Sequence, residues 1–273
     1  MRNNFIDIHS IKRNLRFVLL LIKLKLSRMM VFRVSFFGVF FADGTLFLVQ
    51  LLTFSTIYAH VESIGGWDRG QMIIFVGTFS LINALNMMIY FFGVVDIPNK
   101  IKRGDLDQYL TKPVNPLLRL TFESVNPGSF LLVVMSILII GHGVSVSGIE
   151  VSLGAGLAYT GLVLLMTLLW YDMEVLLRTI PFLVVSANGI VQLEEHLIDL
   201  NFKVPGTLYT GIFRVLFYFV FPYGVMSTVP TQLLSGVLTA PGLVQALCVV
   251  VVFTAFTLWF WRFGLRRYKS ASS

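Results

Sequence analysis

Charge is scarce in this chain. Only 13% of its 273 residues are charged, against 56% hydrophobic, whereas a soluble domain carries about 25% charged residues. That shortage excludes an ordinary soluble fold, because so apolar a chain would expose greasy surface to water and aggregate. Cysteine is nearly absent. The single Cys248 excludes an intrachain disulfide, and its place inside an apolar run predicts a small packing residue. No G-x-x-x-x-G-K run followed by Ser or Thr occurs, so no P-loop cradles nucleotide phosphates. With no paired cysteines and no H-E-x-x-H, a metalloprotease reading has no support. A cleavable leader is not expected, since the N-terminus is long, charged throughout and without a small-residue cleavage site.

What the chain does have is long apolar runs and a basic excess of +7. Most of its 21 Lys and Arg residues fall in three patches. One runs from Arg2 to Arg33, a second from Lys100 to Arg119, and the third holds Arg262, Arg266, Arg267 and Lys269. A nucleic-acid binder could carry such a balance. Here the patches flank apolar runs, which is the positive-inside pattern, so no nucleic acid is expected and all three patches are expected in the cytoplasm.

Residues 8–30 alternate basic and apolar positions. Leu15, Leu19, Ile22 and Leu26 share one face while Lys12, Arg16 and Lys23 lie elsewhere, which predicts an amphipathic helix at the membrane interface. A first span is expected from Val34 to about Ala59, long enough to cross, with Asp43 as its only charge. Trp67 suits an interfacial aromatic belt in the loop that follows. Further spans are expected at about Gln71–Val95, Leu120–Gly141, Leu153–Leu177 and Leu243–Trp261. Between the last two, residues 180–193 and 204–230 are both apolar. If both crossed, seven spans would leave the basic tail outside, so six are expected. The segment broken by Pro205, Pro222 and Pro230 is the better candidate for a re-entrant element. The fold class is therefore all-α and polytopic.

The polar residues carry the candidate chemistry. In the loop from Asp96 to Arg119, Gly104 permits a turn, Asp105 can cap a short helix with Gln108 as its capping-box partner, and Pro113 ends it. Leu106, Tyr109 and Leu110 would then form an apolar edge open to a partner. Asp43 is costly in lipid, about 2.5–3.5 kcal/mol. With Asn83 and Asn86 of the second span it makes up the set of candidate pathway or interface polar residues. Asn83, Asn86 and Asn188 also suit interhelical hydrogen bonds. Asp172 and Glu174 are expected to be solvated or paired with Arg178. Glu194, Glu195 and His196 are consecutive on a helix and point apart, which predicts a solvated helix end rather than a metal site.

The stretch Lys102-Arg103-Gly104-Asp105-Leu106-Asp107, then Tyr109-Leu110, then Lys112-Pro113-Val114-Asn115-Pro116, resembles the cytoplasmic loop of ABC-transporter permeases of the bacterial type-two exporter class. Within that class the chain is most similar to a subfamily of compact permeases of about this size. The resemblance extends to Gly66-Trp67, to Phe221-Pro222 with Pro230, and to the tail from Trp261 to Ser270. One departure is the lack of a Phe-Trp pair around Pro181-Phe182.

The resemblance implies a single transmembrane permease domain over 1–273. Residues 1–33 would be a cytoplasmic N-terminus with an interfacial elbow helix, 96–119 a cytoplasmic coupling loop and 262–273 a cytoplasmic tail. Residues 99–112 would dock on a separate ABC ATPase, with Lys102, Arg103, Asp105, Leu106, Asp107, Tyr109 and Leu110 as the coupling residues. ATP and Mg would sit on that partner, leaving no cofactor and no catalysis in this chain. A second permease, identical or paired, would complete the pathway in the lipid of the bacterial plasma membrane, and the direction would be export. The fifth span would be about 180–198, with about 204–235 re-entrant. The rival reading is an ATP-independent secondary transporter or membrane-embedded enzyme with Asp43 in a proton relay. Such proteins usually show more intramembrane charge or internal repeats.

Overall fold

The structure is a computed structural model and describes residues 17–23, 33–184 and 188–268. Among these residues there are helices and no strand, only an isolated bridge between Ile64 and Trp67. Helix α1 covers 17–23, the part of the expected interfacial helix that lies within the described residues. Leu19 on it is exposed. Leu15, Leu26, Lys12 and Arg16 lie outside the described residues.

The first span is α2 (Arg33–Ile57) and the second α3 (Arg69–Ile89). A reciprocal cap starts α3: the Gln71 amide donates to Asp68 Oδ1 at 2.8 Å and the Asp68 amide to Gln71 Oε1 at 3.0 Å. The expected second span to Val95 stops short, because the backbone leaves the helix at Tyr90 (φ −138°). Three short helices follow: α4 (Phe91–Val94), α5 (Ile97–Arg103) and α6 (Asp107–Leu110). Next come α7 (Pro116–Phe122) and the third span α8 (Phe130–Ser147). The third span was expected to start at Leu120. Residues 120–122 instead finish α7 and 123–126 turn the chain, because Pro127 cannot continue a helical ladder and the Asn126 amide donates to Met88 O at 2.9 Å. The fourth span is α9 (Leu153–Thr179), as expected.

After α9 come α10 (Asn188–Lys203), α11 (Gly211–Val215, continued by a wide turn of π-helix to Val220), α12 (Tyr223–Met226) and α13 (Thr228–Leu234). The last helix, α14 (Ala240–Arg267), outruns its expected end at Trp261. Arg262, Arg266 and Arg267 are thus on the helix itself rather than on a loose tail. By length and composition five helices can cross a membrane, or six if the pair Gly211–Val220 and Tyr223–Leu234, bent by 82°, counts as one span.

Between the basic end of α9 and the start of α14, side-chain contacts trace the path of the chain through the body. Glu194 on α10 pairs with Arg178 near the basic end of α9. Eight residues on, the Phe202 ring lies 4.7 Å from Phe79 and 6.0 Å from Phe47. Leu208 then reaches Gly65, in the loop at the opposite end. The helix α10 thus runs from the basic end of α9 toward the loop before α3, but with Glu194, Glu195, Asp199 and Lys203 it is not among the helices apolar enough to cross, so the expected fifth span at 180–198 is not found there. The segment α11–α13 returns into the body: Tyr223 packs on Trp170 at 6.1 Å, and Leu234 lines a cavity with Tyr159 near the other end of α9.

The frame is the α3–α8 pair. A Cβ on Gly70 would lie 2.5 Å from the Ser147 amide nitrogen, and one on Gly143 would lie 2.8 Å from the Ile74 nitrogen. Backbone meets backbone there, which is how small residues drive helix association in lipid. Trp67 is 3% exposed and tilts against Phe75 at 5.7 Å, so it packs inside rather than in an interfacial belt. Cys248 is exposed on α14, which corrects the expected packing role.

Gly143→Ala should cost about 1–3 kcal/mol by overpacking. Gly141→Ala, whose Cβ would meet nothing within 4 Å, should be neutral. Thermal unfolding of the two variants in detergent compares them directly, and equal melting temperatures would refute the close-packed frame.

Candidate functional site

The polar loop folds into a strap laid across the basic ends of the spans. Lys100 is its centre, with Nζ 2.9 Å from Asp96 Oδ2 and 2.7 Å from Glu123 Oε1. The Tyr109 hydroxyl donates to the same Glu123 carboxylate at 2.8 Å. The Arg119 guanidinium lies 4.3 Å over the Tyr109 ring and Lys100 Nζ 5.7 Å from its centre, so the phenol is held by cations and a carboxylate together. Asn115 caps α7, accepting from the Leu117 and Leu118 amides at 2.9 and 3.3 Å.

Burial alone would push the Lys100 ammonium down. Its hydrogen bonds to Glu123 and Asp96 outweigh that and hold it at about 12. For Asp96 burial pushes up, but hydrogen bonds from Asn99 and Lys100 and the nearby positive charges bring it below the usual carboxylate range. The sign follows by linkage. The contribution of Lys100 is complete below 10.5 and lost as pH rises through about 12. That of Asp96 is present above its ordinary value and lost as pH falls through its lowered one. The strap is closed at neutral pH on both counts.

Beneath the strap is an apolar cluster of Tyr90, Val94, Ile97, Leu106, Leu117 and Leu120 that includes Val175 of α9 and Trp261 of α14. Tyr268, just past α14, packs on it through Phe182 at 5.9 Å. Burial, then the carboxylates of Asp107 and Asp105, push the Tyr268 hydroxyl up. The tail and the loop are thus one assembly.

The candidate coupling residues divide into two groups. Lys102, Arg103 and Leu110 are exposed on the outer surface of the strap. Leu106 is fully buried and Tyr109 nearly so, which corrects the expected apolar edge open to a partner. They face inward because the loop needs its own apolar anchor in the body. Asp105 and Asp107 are half-buried. Gly104 takes the left-handed turn at φ +75°. Asp105 does not cap, however: α6 starts at Asp107 with Leu106 before it and no side-chain cap. The tight turn spends the residues that a capping box would need.

Asp43, Asn83 and Asn86 lie in α2 and α3, apart from the strap. Asp43 is half-buried and makes no ion pair among the described residues. Asn86 is buried with Oδ1 accepting no hydrogen bond, and Asn83 reaches only Met87 Sδ at 3.9 Å.

Sequence reasoning missed Lys100 and Glu123 as the organisers, because 23 residues separate them. It offered Glu174 paired with Arg178 as one alternative but missed the other members of a second polar cluster, Glu194 and Tyr223. Arg178 lies 3.0 Å from Glu174 and pairs with Glu194, which accepts from the Tyr223 hydroxyl at 2.9 Å. Glu194 is therefore buried and paired, not at a solvated helix end. The i,i+4 spacing signalled the Glu174–Arg178 pair, but nothing along the chain pointed to Glu194, 16 positions from Arg178.

Glu123→Ala leaves Lys100 with Asp96 alone and strands the Tyr109 hydroxyl, and should cost about 1–3 kcal/mol. Hydrogen exchange should quicken over residues 97–122 and stay unchanged in α3 and α8. Unchanged protection of the strap would refute its central role.

Comparison with known proteins matches these elements to one family. The model of the ABC-2 family transporter protein covers residues 45–272, from the first span to the tail. Neither curated proteins nor solved structures return a match. The match takes in both the spans and the strap, so the chain belongs to the ABC-2 transporter family and is a multi-pass membrane permease component of an ABC transporter.

Proposed function

We propose that this permease is driven by a separate ABC ATPase that docks on the outer surface of the α5–α7 strap, and that it works in export. The observation that carries the reading is the division of the strap. Its inner side is anchored on α9 and α14 through Leu106, Tyr109 and Trp261. Its outer side presents Lys102, Arg103, Gln108, Leu110 and Lys112. A rigid element with one face in the body and one in solvent can pass a push from a soluble partner to the spans. The +7 balance and the basic ends of α5 and α14 support a cytoplasmic strap with both chain ends on that side.

ATP and Mg would be held by the ATPase, since this sequence has no P-loop. A second permease, identical or paired, would complete the pathway beside the exposed apolar faces of α2 and α14, in the lipid of a bacterial plasma membrane. Asp43, on the loosely covered α2, would then face that partner or the pathway. The export direction rests on the resemblance to the type-two exporter class.

The surface residues, not the buried ones, test the docking. The double variant Arg103→Glu with Leu110→Glu should leave the permease folded, as both side chains are exposed. It should weaken copurification with the ATPase by at least about tenfold, equivalent to about 1.4 kcal/mol, and abolish transport. Full complex formation and transport would sink the assignment. Leu106→Asp, by contrast, should unfold the strap itself.

A further inference from the structure

The cluster of Arg178, Glu174 and Glu194 is sealed inside the body, with relative exposures of 4%, 1% and 2%. Two carboxylates share one guanidinium. Were both ionised, the cluster would hold an unbalanced negative charge away from water, and a buried unpaired charge is neutralised rather than tolerated. The groups facing it are Tyr90 at the end of α3, Glu195 on α10 and Tyr223 on α12, while Tyr171 and Asp172 on α9 face Tyr90. None of them is a cation. Asp172 is held elsewhere, its carboxylate accepting from the Thr254 hydroxyl and its carbonyl from Thr257.

The hydrogen bonds tell the two glutamates apart. Both oxygens of Glu194 are taken by donors: Oε2 by Arg178 Nη1, and Oε1 by the Tyr223 hydroxyl at 2.9 Å. That arrangement favours the ionised form. Glu174 is poorly served. Its Oε1 accepts from Trp170 Nε1 at 3.3 Å. Its Oε2 lies 3.0 Å from Arg178 Nη2 but receives no well-directed hydrogen bond, although it is shut off from solvent.

We propose that Glu174 is a proton-binding site: its carboxyl holds one proton, while Glu194 stays ionised as the sole counter-ion of Arg178. The cluster is then neutral. The proton's place depends on the re-entrant segment being seated. If α12 withdrew Tyr223, Glu194 would lose a donor and compete for the proton, so seating of α12 and protonation of Glu174 are linked.

The test uses the full-length protein in lipid nanodiscs near neutral pH. Infrared spectroscopy should show the carbonyl stretch of a buried carboxylic acid in the wild type. The wild-type minus Glu174→Gln difference spectrum should contain such a band, and the same difference taken in an Asp172→Asn background should keep it. Glu174→Gln replaces a neutral group by a neutral one, so its melting temperature should stay close to wild type, whereas Glu194→Gln removes the carboxylate that holds both Arg178 and the Tyr223 hydroxyl and should lower it. The proposal is overturned if the wild type has no such band, or if the Glu174→Gln difference spectrum contains none in either background. It is equally overturned if Glu174→Gln destabilises as much as Glu194→Gln.

Discussion

Arg178 is the pin on which the membrane-embedded part of the fold depends. A guanidinium cannot lose its proton, and inside the body it finds no water. It must be answered by carboxylates. Glu174 is one turn away on the same helix, but the second partner, Glu194, comes from α10. That single requirement draws α10 against α9. Glu194 in turn receives the Tyr223 hydroxyl from the re-entrant segment. Helices that lipid would not push together are therefore joined by charge, since apolar burial gives little drive between helices in hydrocarbon.

The rest of the architecture uses other means. The α3–α8 pair relies on glycine-lined close approach, and α14 is tied to α9 through Asp172, whose carboxylate accepts from Thr254 at 2.5 Å. The strap sits on Val175 and Trp261, and so on the same two helices. Val175 lies one residue from Glu174 and three from Arg178. Under the proposed function, force received by the strap reaches α9 within one turn of the charge cluster. The apolar faces of α2 and α14 take little part in these contacts and are left for lipid or a second permease.

Much of the outline was legible in the sequence, because lipid imposes long apolar runs and basic flanks on any helix that crosses it. The first and fourth spans lie where hydropathy placed them, and the Pro-broken segment bends by 82° at Phe221-Pro222. Boundaries set by tertiary contacts were less legible. The second span ends at Tyr90, whose hydroxyl bonds to the Thr167 carbonyl of α9. The third begins only after Asn126 has bonded back to Met88. Neither partner is visible along the chain.

The strap divides the same way. Its position, its Gly104 turn and its basic character were written in local residues. Which side faces out was not: helical spacing made Leu106, Tyr109 and Leu110 look like one edge, and only packing on Trp261 and Val175 turned the first two inward. By itself, then, the sequence determined that this protein spans a membrane, where its polar loop lies, and which ends carry positive charge. Composition and local spacing suffice for that. The tertiary structure alone decided that Glu123 organises the loop and that Glu194 is buried against Arg178. Both are long-range charge pairings, which exist only once the fold has brought distant side chains out of water together.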